Sequence, residues 1–270
     1  MFRLAFCDLD GTLLKTDHTV SPVVAQTLQA VIDAGKFITI CSGRSYPQFS
    51  EWLAVLPVNA PVVTCNGGVI VELATRKVLF ENPIPADVMK DVALFAEEEH
   101  VNARISLSDV RTLLDYRAEE GRFVLSRDGE LVTGIDDPLS VLDQPAHKCI
   151  LLHGGPDANQ RSIERLTVRL GGRARVVASS ERWAEVVAPG VSKAVGMAWL
   201  CRYLGVAQGE TLAIGDADND IEMLEWAGCG VAMGNAMPAA RAAASWVAPH
   251  VNDDGAAVAL RRFMLNGVLD

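Results

Sequence analysis

Asp8-Leu9-Asp10-Gly11-Thr12 stands directly after a short apolar run at residues 2–7, and the fold class follows from this junction. The run has the length and composition of a buried β-strand. In open α/β sheets the ligand site lies at the carboxyl ends of the strands, so two carboxylates at this point are candidates for chemistry. Gly11 allows the chain to turn sharply there. The alternative interpretation is a solvated loop, because Asp and Gly are common turn residues.

Strands and helices alternate after this junction. Ser21-Pro22 predicts the start of a helix, and Gly35 predicts its end. Such alternation is typical of βαβ units on a parallel sheet, and it predicts an α/β fold. Asn66-Gly67-Gly68 predicts a turn that leads into a small hairpin. The predicted strands are 2–7, 37–41, 61–65, 69–72, 77–80, 211–214 and 229–233, and the predicted helices are 22–34, 46–56, 192–204, one from 220 and one after 253–255.

A different pattern occupies the middle of the chain, after Pro83-Ile84-Pro85. It is a mixed α+β pattern with a polar and broken stretch at 104–134, and the first pattern resumes from 185. We therefore predict a parallel-sheet core formed by 1–83 and 185–270, with a separate domain, 84–184, inserted into it. The predicted elements of the insertion are helices at 87–99 and 159–170 and strands at 147–153, 175–178 and 183–187.

A second acidic cluster, Gly215-Asp216-Ala217-Asp218-Asn219-Asp220, also follows an apolar strand. Three aspartates within five residues repel one another in a confined site unless a cation neutralises them. The alternative is a capping cluster for the next helix, since Asp complements the helix dipole. The two interpretations are compatible, and two acidic clusters at strand ends indicate a site more strongly than one does.

Two further segments carry groups suited to an anion. Ser42-Gly43-Arg44 lies between a predicted strand and a predicted helix, where a hydroxyl and backbone N–H groups bind anions and an arginine adds a fork for phosphate or carboxylate. Taken alone, such a segment is more often an ordinary turn. Lys193 stands at a predicted helix start, where its charge opposes the helix dipole, and a bound phosphate would explain it. An exposed surface lysine is the default alternative.

The composition sets broad limits on the function. Half of the 270 residues are hydrophobic, and a formal net charge of -10 argues against general nucleic-acid binding. No run approaches the ~18 consecutive apolar residues of a membrane span, and the chain reaches Asp8 too soon for a signal-peptide core. The six cysteines form no CxxC pair, so we expect neither disulfides nor a zinc site, and we expect a cytoplasmic location.

Together and in this order, the four segments resemble the motifs of the haloacid dehalogenase-like hydrolase superfamily. Residues 8–12 are similar to its first motif, Ser42-Gly43-Arg44 to its second, Lys193 to its third and 215–220 to its fourth. An insertion between the second and third motifs, preceded by Asn66-Gly67-Gly68, is similar to the Cof-type branch. The resemblance implies a Rossmann-like core with an inserted α/β cap that selects the substrate. Loose candidates for substrate contacts in that cap are Arg104, Arg117, His147 and Lys148, each of which is more simply explained as a surface or structural residue.

The resemblance also implies a magnesium-dependent phosphatase that forms an aspartyl-phosphate on Asp8. Asp10 would act as general acid and then as general base. Mg²⁺ would be held by the carboxylates of Asp8 and Asp216 and by the backbone carbonyl of Asp10. An Asp at position 10 favours phosphatases and phosphomutases over the pumps and dehalogenases of the superfamily. The other implied site residues are Ser42, Gly43, Arg44, Asn219 and the catalytic Lys193 at the phosphoryl group, with Asp220 and Asn66 behind them.

The expected substrates are small phosphorylated metabolites such as sugar phosphates. We expect no nucleic-acid or membrane partner, and a monomer or a small homo-oligomer. Two alternatives stay open: a phosphomutase of the phosphomannomutase type, and a binding or regulatory protein that kept the fold without the activity. The complete set of Asp8, Asp10, Lys193 and Asp216 counts against the second alternative.

Overall fold

The structure is a computed structural model that describes residues 1–48, 50–107, 112–115, 133–135, 144–180 and 182–265. The chain divides into two compact units. The first combines Met1–Leu79 with Ser192–Asp270, and the second is Phe80–Val191. In chain order the elements are β1 (Leu4–Cys7), α1 (Pro22–Asp33), β2 (Phe37–Ile40), β3 (Val62–Thr64), β4 (Val69–Val71), β5 (Val78–Glu81), α2 (Ala86–Glu98), β6 (Asn102–Leu107), β7 (Thr112–Asp115), β8 (Thr133–Ile135), β9 (Ala146–Leu152), α3 (Pro156–Leu170), β10 (Arg175–Ser180), β11 (Trp183–Val187), α4 (Lys193–Leu204), β12 (Thr211–Gly215), α5 (Ile221–Trp226), β13 (Cys229–Ala232), α6 (Pro238–Ala243), β14 (Trp246–Val247) and α7 (Gly255–Met264).

The first unit is built on a five-stranded parallel sheet with the strand order β14-β13-β12-β1-β2. All residues of β1, β12 and β13 are buried, as expected for strands that are covered on both faces. The first helix, α1, begins as predicted, because the Ser21 hydroxyl accepts a hydrogen bond from the backbone N–H of Val23 at 3.2 Å and Pro22 follows the cap. The predicted α/β fold class is confirmed.

The predicted hairpin also forms, but as part of a separate three-stranded sheet, β3-β4-β5. β3 runs antiparallel to β4, with Val62 opposite Val71. One parallel bridge, Cys41 to Val63, links β3 to the chain directly after β2, and Ser42 N–H donates to the Val63 carbonyl at 2.9 Å. The strand predicted as the third of the parallel sheet, β3, is therefore connected to that sheet by a single β-bridge.

The helix predicted at 46–56 is wrong. The described residues form two short 3₁₀ turns, Tyr46–Gln48 and Trp52–Ala54. The Gln48 side chain accepts hydrogen bonds from the backbone N–H and the hydroxyl of Ser45, at 3.1 and 2.9 Å. The Gln48 backbone carbonyl accepts from Arg44 Nη1 at 3.2 Å. In a continuous helix that carbonyl would pair with the N–H of Trp52, so the contact with Arg44 replaces a helical bond.

The second unit is a six-stranded sheet, in the order β10-β11-β9-β6-β7-β8, with helices α2 and α3 packed on its apolar side. β6 overlaps, from Arg104 onwards, the stretch that the sequence predicts to be polar and broken, yet all six of its residues are buried. The predicted boundary between 184 and 185 falls inside β11, all of which belongs to this unit. Within the described residues, no helix combines the length and apolarity that crossing a bilayer requires.

The candidate cap residues are buried in this sheet rather than exposed. Ala103 and Ile105 belong to the apolar core, so the side chain of Arg104 lies on the opposite face of the sheet. Lys148 and Glu185 are both buried and form an ion pair at 3.7 Å. His147 Nε2 lies 3.3 Å from a carboxylate oxygen of Glu81. Another candidate, Arg117, lies outside the described residues.

Candidate active site

Three adjacent parallel strands bring the first, second and fourth sequence motifs to one edge of the first unit's sheet. Asp8 follows the last residue of β1, Ser42 lies two residues beyond β2, and Asp216 follows the last residue of β12. Lys193 is the first residue of α4, and it reaches the same place. The structure therefore brings together residues that are up to 208 positions apart in the sequence, from Asp8 to Asp216.

Lys193 lies at the centre of this site and is completely buried. Its Nζ donates to Asp8 Oδ1 at 2.6 Å and to Asp220 Oδ1 at 2.5 Å. Burial alone would lower the pKa of Lys193, but the charges of Asp220 and Asp8 outweigh burial and hold that pKa well above its usual range. The lysine is therefore a fixed positive charge between two carboxylates.

The acidic groups crowd around a point that a cation would stabilise. One carboxylate oxygen from each of Asp8, Asp216 and Asp220 lies within 4.8 Å of the others. Burial, followed by the charge of Asp220, raises the pKa of Asp216 to about 6. Burial also raises the pKa of Asp8 well above its usual range, although Lys193 opposes the rise. Burial and mutual repulsion therefore disfavour the charged forms of these carboxyl groups, and a bound cation would offset both effects.

Asp220 has a structural role within this cluster. Its Oδ1 accepts from Lys193, and its Oδ2 accepts from the backbone N–H groups of Asp216 and Ala217 at 2.8 and 2.9 Å. These bonds shape the loop that carries Asp216. The oxygens left to face a cation are those of Asp8 and Asp216, and hard oxygen ligands of this kind suit Mg²⁺. The residues present therefore fit the predicted metal site, with Asp220 supporting it.

Two residues that orient Asp216 are missing from the sequence prediction. Thr12 Oγ1 donates to Asp216 Oδ1 at 3.3 Å. Asn235 Nδ2 donates to Asp216 Oδ2 at 3.2 Å and to the Gly11 carbonyl at 2.8 Å, while its own oxygen accepts from the Val251 N–H at 2.9 Å. Asn235 follows β13, the next strand of the same sheet, so the strand-end rule that singled out Asp8 and Asp216 could have found it.

Gly11 is required at this site because it lies against Asp216. Gly35, which has nearly the same backbone φ and no such neighbour, serves as the comparison. Gly11 has φ +73°, and a Cβ there would lie 2.3 Å from Asp216 Oδ2. Gly35 has nearly the same φ, +74°, with no atom within 4 Å of a Cβ. We expect Gly35→Ala to lose about 1–2 kcal/mol of unfolding free energy from its left-handed backbone and to keep Mg²⁺ binding. Gly11→Ala adds displacement of Asp216, so its Mg²⁺ affinity should fall as well.

The measurement is chemical denaturation of both variants, together with a Mg²⁺ titration followed by thermal unfolding. Equal Mg²⁺ affinities in the two variants would show that the close approach of Gly11 to Asp216 has no effect on the metal site.

The turn at residues 65–67 packs against two of the segments that form the site. Cys65, Asn66 and Gly67 are three consecutive residues with positive φ, at 50°, 55° and 93°. Asn219 Nδ2 donates to Asn66 Oδ1 at 2.9 Å, so the predicted supporting residue Asn66 contacts the predicted phosphate ligand Asn219. A Cβ on Gly67 would lie 2.0 Å from the Ser192 carbonyl, directly before Lys193. This turn therefore sits against both the third and the fourth motif.

The second motif forms a tight turn at the same edge. The buried Ser42 hydroxyl accepts a hydrogen bond from the Arg44 N–H at 3.1 Å. A Cβ on Gly43 would lie 2.9 Å from Asn66 Oδ1, so this position has room only for glycine unless Asn66 moves. Binding of a phosphoryl group by Ser42, Gly43 and Asn219 stays a prediction.

Arg44, which the sequence predicts at the phosphoryl group, contacts Asp10 in the structure. Its Nε and Nη2 donate to the two carboxylate oxygens of Asp10, both at 2.7 Å. A guanidinium fork matches carboxylate and phosphate equally well, which is why the sequence did not distinguish these partners. His18 Nδ1 lies 3.7 Å from Asp10 Oδ1, too far for a hydrogen bond.

A parallel α/β core that carries an aspartate pair, a buried lysine and a second acidic loop at one edge has the arrangement expected of a haloacid dehalogenase-like phosphatase. The chain belongs to the haloacid dehalogenase-like hydrolase family, which matches residues 5–260. Both the family and the class of enzyme, a phosphatase, are thereby confirmed.

Three known proteins illustrate the similarity. The chain is 30% identical to the 5-amino-6-(5-phospho-D-ribitylamino)uracil phosphatase YitU of Bacillus subtilis, over 95% of each chain. It is 30% identical to the HMP-PP phosphatase of Yersinia pestis, over 88% of this chain and 86% of that protein. Its structure is similar to that of a haloacid dehalogenase-like hydrolase from Bacteroides thetaiotaomicron, with a TM-score of 0.87, 26% identity and coverage of 97% and 99% of the two chains.

Proposed function

We propose that this chain is a magnesium-dependent phosphatase that hydrolyses small phosphorylated metabolites through an aspartyl-phosphate on Asp8. The observation that carries the proposal is the buried contact of Asp8 with Lys193, beside a carboxylate of Asp216 that is suited to a cation. Bound Mg²⁺ would be held by Asp8, Asp216 and the backbone carbonyl of Asp10, and it would neutralise charge on the transferring phosphoryl group.

Asp8 provides the nucleophile. A carboxylate oxygen attacks phosphorus, the bond from phosphorus to the ester oxygen breaks, and an aspartyl-phosphate results. Repulsion between the carboxylate and the phosphate opposes this attack. Lys193 counters the repulsion, because its buried ammonium group lies 2.6 Å from Asp8 and is held in its charged form.

Asp10 supplies the proton transfers. It donates a proton to the departing alkoxide and then removes one from the water that attacks the aspartyl-phosphate, which releases phosphate and restores the Asp8 carboxylate and the protonated Asp10. The side chain of Asp10 is 42% exposed, in contrast to the buried Asp8. This difference suits one buried nucleophile and one acid–base group that is open to water and substrate.

Small phosphate esters of polyols and sugars are the proposed substrates. The names of two relatives, one for a phosphorylated ribityl compound and one for HMP-PP, support small phosphorylated metabolites as a class. The role of the inserted unit in substrate selection, the cytoplasmic location and the oligomeric state stay predictions. The test is phosphate release from a panel of sugar and polyol phosphates, with and without Mg²⁺. Isomerisation of glucose 1-phosphate to the 6-phosphate without phosphate release would instead establish the phosphomutase alternative.

Metal binding should be visible as a pH-dependent stabilisation. At a Mg²⁺ concentration of 100 times Kd, we expect the free energy of unfolding to rise by about 2.7 kcal/mol at neutral pH. The pKa of Asp216 is raised to about 6, so protons should compete with the metal and remove this gain as the pH falls through 6.

The metal-free protein should show the opposite trend from the same group. A carboxyl whose pKa is raised on folding binds a proton more readily in the folded state. Asp216 therefore adds stability as the pH falls from about 6 towards its ordinary value of 3.8. Urea denaturation across this range, with Mg²⁺ or with a chelator, measures both trends. A Mg²⁺ effect that is equal at pH 5 and pH 8 would contradict a metal site on Asp216.

A further inference from the structure

The contact between Arg44 and Asp10 is bidentate, with each of two donors on one carboxylate oxygen at 2.7 Å. A fork of this kind fixes the plane of the carboxylate as well as its distance, which a single hydrogen bond does not do. The side chains are partly exposed, at 28% for Arg44 and 42% for Asp10, and ion pairs of such exposure stabilise a fold only weakly. The main effect of this contact is therefore to fix the orientation of the Asp10 carboxylate.

Arg44 is itself held in place by the residues that follow it. Its Nη1 donates to the Gln48 carbonyl at 3.2 Å, and its Cζ lies 4.8 Å from the centre of the Trp52 ring, which favours a cation on its face. The Gln48 side chain is in turn tied to Ser45. The two 3₁₀ turns at 46–54 thus form a support that holds the guanidinium in one orientation.

We propose that Arg44 is a positioning residue for Asp10: it holds the carboxyl group in the orientation for proton transfer, and it does not act as a ligand of the phosphoryl group. This inference rests on the proposed function, since it needs Asp10 to be the acid–base residue. The edge of the guanidinium formed by Nε and Nη2 is the one that matches an oxyanion bidentately, and Asp10 occupies it.

The two possible roles of Arg44 differ in how they depend on the leaving group. Proton donation by Asp10 matters for an alkoxide, which is a strong base, and matters little for p-nitrophenolate, which leaves readily without a proton. A residue that binds the phosphoryl group acts on the part of the molecule that all substrates share. In the step that forms the aspartyl-phosphate, loss of Arg44 should therefore slow alkyl phosphates selectively if it acts through Asp10, and all substrates equally if it binds phosphate.

The experiment compares wild type, Arg44→Ala, Arg44→Lys, Asp10→Asn and the double variant Arg44→Ala/Asp10→Asn on glucose 6-phosphate and p-nitrophenyl phosphate with Mg²⁺. For Arg44→Ala we expect kcat/KM, which reports the steps up to departure of the leaving group, to fall about 100-fold on glucose 6-phosphate and about 10-fold or less on p-nitrophenyl phosphate. The value of kcat does not separate the two roles, because both esters share the hydrolysis of the aspartyl-phosphate. Lysine, which lacks the fork, should recover only part of the loss. In the Asp10→Asn background, removing Arg44 should cause little further loss, because both changes disable one function.

Equal losses of kcat/KM on the two substrates, or weaker inhibition by inorganic phosphate in Arg44→Ala, would overturn the proposal and assign Arg44 to the phosphoryl group. Arg202→Ala, at an exposed position in the last turn of α4, is the matched control and should keep wild-type kinetics. If Arg44→Ala does not fold, Arg44→Lys and Arg44→Gln carry the same comparison. If glucose 6-phosphate is not hydrolysed, the best alkyl phosphate of the sugar and polyol panel replaces it. Failure of the wild type to release phosphate from every ester of that panel and from p-nitrophenyl phosphate would refute the proposed function itself, which is a distinct outcome.

Discussion

Replacing Asp8 by Asn should abolish turnover of every phosphate ester while leaving the fold intact. An amide has nearly the shape of a carboxylate, but it cannot form the aspartyl-phosphate, so we expect kcat to fall on the order of 10⁴-fold or more. Steady-state phosphate release measures the loss. Asp33→Asn, at an exposed position near the end of α1, is the control and should retain full activity.

The stability of Asp8→Asn gives a second, independent readout. Burial raises the pKa of Asp8, which means that ionised Asp8 destabilises the folded protein at neutral pH when no metal is bound. The uncharged Asn removes this penalty and leaves Lys193 paired with Asp220. Without Mg²⁺ the variant should therefore be at least as stable as the wild type, and it should gain less from added Mg²⁺. A strongly destabilised Asp8→Asn would show that the carboxylate is needed for folding.

Replacing Lys193 by Met should cause the largest loss of stability of any substitution in the site. The side chain is completely buried and bonds two carboxylates, so Met leaves Asp8 and Asp220 with uncompensated charge. Breaking a buried ion pair from one side costs about 3–5 kcal/mol, and activity should fall with it. Lys77→Met, on an exposed lysine, should change stability by less than about 0.5 kcal/mol.

A second substitution tests the physical reason for that loss. If uncompensated charge destabilises Lys193→Met, adding Asp220→Asn should recover part of the lost stability, although Asp220→Asn alone destabilises the protein. Urea denaturation of the four proteins in this cycle measures the coupling. Additive losses in the double variant would contradict the account of Lys193 as a charge held between two carboxylates.

The clustering of Asp8 and Asp216 could be predicted from the sequence because it follows a simple rule. Asp8 and Asp216 each follow an apolar strand, and parallel strands bring such positions to one edge of a sheet. Lys193 stood out because its charge opposes the dipole of its helix. In the structure its partners Asp8 and Asp220 explain that unfavourable position.

Other features depend on contacts that the sequence pattern does not record. The segment 46–54 has helical periodicity, but bonds from Ser45 and Arg44 to Gln48 turn it into 3₁₀ turns. Arg44 pairs with Asp10 across 34 positions, and its fork fits a phosphate equally well, so its partner could not be read from residue type. The sequence of β6 looks polar because Arg104 and its neighbours on one face of the strand are polar. In the structure they are buried as fully as the apolar residues on the other face.

The most direct test of the account is to trap the phosphoryl group on the enzyme. Asp10→Asn keeps the nucleophile but lacks the base for the second step, so p-nitrophenyl phosphate with Mg²⁺ should phosphorylate it faster than water releases the product. After acid quenching, peptide mass spectrometry should find one phosphoryl group, on Asp8, and none in Asp8→Asn. Wild-type turnover with no phosphorylated enzyme in any variant, or a phosphoryl group on a residue other than Asp8, would contradict the account.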